Sequence, residues 1–284
     1  MPYSGIGKSE RTYFQALNEM DGTHLTSEKG SPEGEERLLF TKTGSQVPVI
    51  TPACHTQFFH DLETIYEVSP LQYCEAAAYS LAIAMRHALG SYAARSRVVA
   101  MIDNSRAGLV AAFGLRQLIN AGASGVVFIF ESDQPLSPLH TNAVRSLTAM
   151  QVPNIKVHSA FTTMQQHFLA EAHVVLCGMT HTLLSNIPPT LFDAINDATT
   201  PVHCVEMPPG VDPATGTTKT PRLYAASTLS LGLPLSGTYR AREAIGRHYL
   251  ADVSFPHEFY TRVGKTDEPL FSVQPVIQLL WDKE

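Results

Sequence analysis

The residues best placed to do chemistry form a short loop, Asp103-Asn104-Ser105-Arg106-Ala107-Gly108. It joins an apolar run, Val98–Ile102, to a helical pattern over Ala107–Ala121. In an α/β protein, the turn from such a strand into such a helix is where a glycine-rich loop holds phosphate. A phosphate cradle needs backbone N–H groups turned inward, which favours glycine at several loop positions. Only Gly108 is glycine here, and Asp103 sets a carboxylate where phosphate would lie. The loop reads first as a capped helix start, with Asp103 as the capping group. Arg106 is the group that would pair with a carboxylate or a phosphate.

Ligands in open α/β sheets bind beyond the carboxyl ends of the strands, so two later loops should converge on the same cleft. One is Gly178-Met-Thr-His181, and the other is Glu206-Met-Pro-Pro-Gly-Val-Asp-Pro-Ala-Thr-Gly216. The cleft candidates are Asp103, Asn104, Ser105, Arg106, Thr180, Glu206, Asp212 and Thr228. Glu206 and Asp212 could share a site as two carboxylates, or could anchor a proline-rich turn; the turn is the plainer reading. Cys54-His55 places a nucleophile beside a base, but sequence neighbours rarely face each other. His55 and His60 would not share a helix face well. No GxSxG elbow, HExxH helix or Walker loop occurs. Neither a metal site nor a cofactor is expected.

The 284 residues carry a formal net charge of −6, with 44% hydrophobic and 16% charged residues. That suffices for one large core or two small ones. An acidic balance means that any RNA contact needs a local basic patch. Two stretches offer one: Arg86-His87 with Arg95 and Arg97, and Tyr239-Arg-Ala-Arg-Glu-Ala-Ile-Gly-Arg-His-Tyr249. Arginine interleaved with aromatic residues can hold single-stranded RNA by stacking and charge. Arg240, Arg242 and Arg247 are the candidate contacts, against the alternative of a solvated face. Cys54, Cys74, Cys177 and Cys204 form no CxxC pair and read as small buried hydrophobes in a reducing compartment. No signal peptide or membrane-length apolar run appears, so a cytoplasmic protein is expected.

The elements that must position these groups begin near Phe40. Residues 1–38 are rich in Gly, Ser, Glu and Thr and read as a flexible arm. Within it Tyr13, Phe14, Leu17 and Met20 fall at helical spacing after Ser9. They form either an arm helix lying on its own domain or a short partner-binding motif. Residues 39–284 make one domain. An extended lead-in at 47–50 precedes helices near 52–65 and 71–89, the second alanine-rich and closed by Gly90. Strands then alternate with helices: 98–102, 125–130, 155–157, 173–177 and 202–206, with helices at 107–121, 139–150, 161–170 and 190–198. Further strands fall at 228–231, 247–253 and near the C-terminus. Continuous apolar runs between helices indicate parallel strands covered on both faces. Right-handed crossovers then give an α/β fold, a three-layer αβα sandwich with a Rossmann-like, mostly parallel sheet.

From Phe40 onward the chain resembles the YjeF N-terminal domain family, which includes NAD(P)HX epimerases and the C-terminal domains of mRNA-decapping enhancers. Four segments carry the resemblance. Phe40-Thr-Lys-Thr-Gly-Ser-Gln-Val-Pro-Val-Ile50 is similar to the lead-in of the decapping branch. Gly108-Leu-Val-Ala-Ala-Phe-Gly-Leu-Arg-Gln-Leu118 has the spacing of the helix after the first parallel strand. The 205–216 loop is similar to the family's Asp-Ile-Pro-Ser-Gly-x-Asp-x-x-x-Gly element. Segments 228–234 and 249–256 resemble its closing strands.

The departures separate the branches. The epimerase loop Gly-Pro-Gly-Asn-Asn-Gly-Gly-Asp-Gly falls on Asp103 to Ala111, with its paired asparagines on Arg106 and Ala107. The family's Asp-Ala-Leu-Phe-Gly element falls on Cys177-Gly-Met-Thr-His181, which lacks the acid. Glu206, Pro209 and Ala226 replace further family residues, and Pro234-Leu-Ser-Gly237 stands where a lysine usually follows. Epimerisation needs acid–base groups within reach of one carbon. The resemblance therefore implies a non-catalytic, homodimeric scaffold in mRNA decapping, located in processing bodies. Its partners would be decapping enzyme or a DEAD-box helicase, and RNA. An NAD(P)HX epimerase or another nucleotide-binding enzyme of the family is the alternative.

Overall fold

A computed structural model describes residues 38–130, 135–157, 161–180, 187–198, 200–265 and 269–281. The arm motif Tyr13, Phe14, Leu17 and Met20, the flexibility expected of residues 1–37, and His181 lie outside the described residues.

The first parallel strand, β3 (Arg97–Ile102), shows how the sequence builds the layers. Its side chains alternate between two apolar environments. Val98, Ala100 and Ile102 enter one core, while Val99 and Met101 enter another. Both faces must therefore be covered. Helices α1 (Pro52–Thr64), α2 (Pro70–Leu89), α3 (Arg106–Asn120) and α4 (Pro138–Ala149) contribute to the first core. Helices α5 (Thr163–Glu171) and α6 (Pro189–Asp197) supply Leu169, Leu191, Phe192 and Ile195 to the second.

Strands β4 (Ser124–Phe130), β5 (Asn154–Val157), β6 (Val174–Gly178), β7 (Val202–Val205), β8 (Ser227–Leu231) and β9 (Arg247–Ala251) run parallel with β3. The antiparallel β10 (Val276–Trp281), β1 (Leu39–Thr41) and β2 (Gln46–Val47) extend the sheet beyond β9. The 10-stranded order is β2-β1-β10-β9-β8-β7-β6-β3-β4-β5. This is a Rossmann-like three-layer αβα sandwich. Elements that the sequence reading missed are short: β1 and β2, where a plain extended lead-in was expected, α7 (Arg242–Ile245) and α8 (His257–Arg262).

The order fixes where a crevice must open. The chain leaves β3 for β4 on one side and later places β6 on the other, so the winding reverses between β3 and β6. Helices diverge at such a switch point, and the groove lies beyond the strands' carboxyl ends. Register levels the loops around it. Ile102 pairs with Gly178, and Cys177 pairs with Cys204. Asp103, Met179 and Glu206 therefore leave the sheet at one height.

Candidate functional site

At the switch point, Asp103 is almost fully buried, 1% exposed. Its Oδ2 accepts hydrogen bonds from the Thr180 backbone N–H at 2.8 Å and the Thr180 hydroxyl at 2.9 Å. Its Oδ1 accepts from the Ser105 N–H at 3.0 Å and from the Ser105 hydroxyl. The carboxylate thus bridges the loops after β3 and β6. Helix α3 is capped by a different residue than the sequence suggested. The Ser105 Oγ accepts from the Gly108 N–H at 3.2 Å, and Asp103 stands two residues earlier. A buried anion with this many donors holds the loop better than it could cap the helix.

Asn104 turns away from that bridge. Its side chain accepts from the Ser137 N–H at 2.9 Å and donates to the Pro135 carbonyl at 3.2 Å. His140, buried at the start of α4, reaches the Ser105 carbonyl through Nε2 at 2.8 Å and the Ser137 hydroxyl through Nδ1 at 2.7 Å. Burial lowers its pKa, against the opposing pull of the Ser105 carbonyl and Asp103.

On the α1–α2 side, Arg106 lies flat over Phe59, with its guanidinium carbon 3.5 Å from the ring centroid. The same carbon is 5.8 Å from the Tyr73 centroid. Its Nη1 donates to the Glu206 Oε1 at 3.4 Å. Both side chains are largely covered, 23% and 17% exposed, so the pair is screened less than a surface ion pair. His55 completes the cluster, with Nδ1 3.8 Å from Glu206 Oε1 and Nε2 2.9 Å from the Leu231 carbonyl. Burial lowers the His55 pKa, and the opposing pull of Glu206 and the Leu231 carbonyl does not reverse it. The neutral ring then carries its proton on Nε2, facing the carbonyl. Burial also raises the Tyr73 pKa, helped by a 2.7 Å hydrogen bond to Glu63, and pushes the Cys74 thiol up to about 12.

The predicted cleft residues therefore divide. Asp103, Ser105 and Thr180 share one network, and Arg106 and Glu206 form another. Met179, 1% exposed, belongs to the second core. Asp212 works inside its own turn, where Oδ1 accepts from the Ala214 and Thr215 N–H groups and the Thr215 hydroxyl. Thr228 is corrected. It is level with Cys204, two residues below the carboxyl edge, and fully buried, with its hydroxyl on the Ile245 carbonyl at 2.9 Å. Cys54 and His55 do not pair among the described residues: His55 donates to the Leu231 carbonyl and its Nδ1 faces Glu206. Cys177 and Cys204 are buried neighbours on adjacent strands.

Phe59, Tyr73, Glu63 and His140 escaped the sequence reading. They come from helices far from the loops in sequence, and no local spacing links them. Of the three candidate RNA arginines, Arg240 packs its Cβ against Gly216, Arg242 lies 5.7 Å from the Trp281 ring, and Arg247 begins β9. Among the described residues, no cluster of three or more His, Cys, Asp or Glu could hold a metal, and no helix is long and apolar enough to cross a membrane.

Comparison with known proteins agrees with this architecture. A crystal structure of the yeast protein ynu0 (YNL200c) matches with a TM-score of 0.69 at 18% identity, over 82% of this chain and 100% of that one. Weaker overlaps reach a shikimate dehydrogenase of Mycobacterium tuberculosis (TM-score 0.31, 12% identity, 69% of this chain and 58% of that one). They also reach a UDP-glucose dehydrogenase of Pyrobaculum islandicum (TM-score 0.28, 13% identity, 63% and 30%). No curated protein matches the sequence significantly. The family model described as YjeF-related protein N-terminus matches residues 71–237, more than half of the chain, including the loops after β3, β6 and β7. The chain belongs to the family of YjeF-related protein N-termini.

Proposed function

We propose that this chain is a non-catalytic, homodimeric scaffold of the mRNA-decapping-enhancer type, working where decay factors assemble in processing bodies. One observation carries the reading: most polar groups of the crevice contact one another, and Arg106 Nε alone among them is buried without a hydrogen-bond partner among the described residues. An acid–base catalyst must present its proton-transfer atoms to a substrate carbon. Asp103 gives its oxygens to Ser105 and Thr180, and Arg106 gives its guanidinium to Phe59 and Glu206. The similarity of 40–50 to the decapping branch supplies the expected partners: a second copy, decapping enzyme and a DEAD-box helicase. Light scattering at micromolar concentration should give a dimer mass, and a monomer would count against the proposal. Pull-down from cell extract, with and without residues 1–38, should recover decapping enzyme or a DEAD-box helicase. Recovery of neither would overturn it.

A second reading, an NAD(P)HX epimerase or another nucleotide-using enzyme, is favoured by the His55–Glu206 pair. A buried imidazole 3.8 Å from a carboxylate could exchange a proton with a bound substrate. Turnover of the S/R NAD(P)HX mixture would support it. A folded protein without turnover would remove it.

A further inference from the structure

Charge is distributed unevenly in this acidic chain. Between Glu75 and Glu131 it carries Arg86, Arg95, Arg97, Arg106 and Arg116, and a single carboxylate, Asp103. That carboxylate is buried at the crevice. Three of the arginines are engaged: Arg106 with Glu206, Arg116 with Glu75, and Arg97 with Glu171. Arg86 and Arg95 are exposed and have no ion-pair partner among the described residues. Both lie at the amino-end side of β3, away from the crevice.

Aromatic rings stand beside them. Tyr92 is 72% exposed and Tyr79 is 49% exposed. Neither makes a ring or cation contact among the described residues. Local geometry sets them in rows. Tyr79 and Arg86 are seven residues apart on α2, two turns along one helix face. Residues 90–95 form a 3-10 helix, in which side chains three apart eclipse, so Tyr92 and Arg95 stack in one row. His87, next to Arg86, is also exposed. The turn after α3 that packs on Ala94 is Ala121-Gly-Ala-Ser124, which adds no negative charge.

We infer that the surface formed by Tyr79, Arg86, His87, Tyr92 and Arg95 binds single-stranded nucleic acid. Guanidinium groups without an ion-pair partner among the described residues would track the phosphates, Arg86 keeping its Nε bond to the Ala82 carbonyl at 3.3 Å, while bases stack on the tyrosines. A duplex keeps its bases stacked inside and cannot use the rings. The inference stands apart from the scaffold reading and moves RNA contact away from Arg240, Arg242 and Arg247.

The test is fluorescence anisotropy with the full chain and labelled ten-nucleotide oligo-U and oligo-dT, at two salt concentrations. Saturable binding of one or both is expected, weakening with salt because counterions are released; the two arms tell RNA from DNA. Tyr92→Ala and Arg95→Ala should each weaken binding about tenfold, while Tyr92→Trp retains it. These exposed positions should leave the melting temperature and light-scattering mass unchanged, so failure here is separable from failure of the dimer. The inference is overturned by no binding at low salt. It is equally overturned by binding that ignores Tyr92→Ala and Arg95→Ala but falls with Arg240→Ala or Arg247→Ala. Equal binding of a duplex, or equal competition by poly-glutamate, would show an unspecific anion surface and overturn it as well.

Discussion

At Asp103 a carboxylate that could serve a ligand serves the fold. Its two oxygens take donors from Ser105 and Thr180, and water is excluded. Leaving such donors unpaired in a dry site costs about 1–3 kcal/mol each. Asp103→Ala should therefore lower the unfolding free energy by about 3 kcal/mol in urea titrations, on the scale for a broken buried network. Asp103→Asn should lose less, since one acceptor oxygen remains. Hydrogen exchange at the Thr180 amide should quicken in both, and unchanged protection there would refute the bridge. Arg106 presents the opposite case, a cation held by a ring as well as by an anion. Arg106→Ala removes the stacking on Phe59 and strands Glu206, a loss of about 1–3 kcal/mol. In a Glu206→Ala background the same change should cost about 1 kcal/mol less, because no buried carboxylate is left alone. Equal costs in the two backgrounds would mean that the Arg106–Glu206 pair contributes nothing.

At the scale of elements, the start of α3 packs closely on the neighbouring backbone. A Cβ on Gly178 would sit 2.2 Å from the Ala107 carbonyl oxygen, and one on Gly108 would sit 2.2 Å from that of Asp103. These glycines are needed for close approach of backbone to backbone, not for cradling phosphate. Gly178→Ala should push the helix start off β6 and destabilise by about 2–3 kcal/mol, as overpacking does when backbone must move. A variant with wild-type stability and Thr180 protection would show that the two elements are not in contact. The parallel strands were legible because each is a continuous apolar run between helical patterns. β1 and β2, at three and two residues, leave no period to read. The crevice was legible in part for a related reason. Asp103, Thr180 and Glu206 follow strand ends, and strand ends can be read. Phe59 and Tyr73 come from helices whose placement depends on packing, so nothing near them in sequence announces Arg106. Thr228 was misplaced because register, not the strand's existence, decides height above the edge.

Across the whole molecule, two buried histidines tie stability to pH. His203 hydrogen-bonds Ser227 at 2.6 Å, and His248 hydrogen-bonds Ser230 at 2.8 Å. Burial lowers both to about 4 from 6.5, with Arg247 adding repulsion at His203. The folded pKa lies below the unfolded one, so between pH 6.5 and 4 the folded state binds fewer protons than the unfolded state. Stability is fully present above pH 6.5 and is lost as pH drops from 6.5 towards 4. Each unit of that drop costs about 1.4 kcal/mol per histidine, so pH 5 should remove about 2 kcal/mol for each. Carboxylates and the other buried histidines, His55 and His140, also respond to acid, so the wild-type slope alone cannot assign the effect. Comparison with His248→Gln and His203→Asn can, because both keep a polar partner for the serine and neither titrates. Each variant should lose about 2 kcal/mol less than wild type between pH 7.5 and pH 5 in urea titrations, and the double variant about twice that. A variant with the wild-type slope would mean that its imidazole protonates in place, and that the sheet around β8 and β9 admits water. The two histidines sit on strands beyond the crevice, so acid would loosen the sheet itself and not merely the loops at its edge.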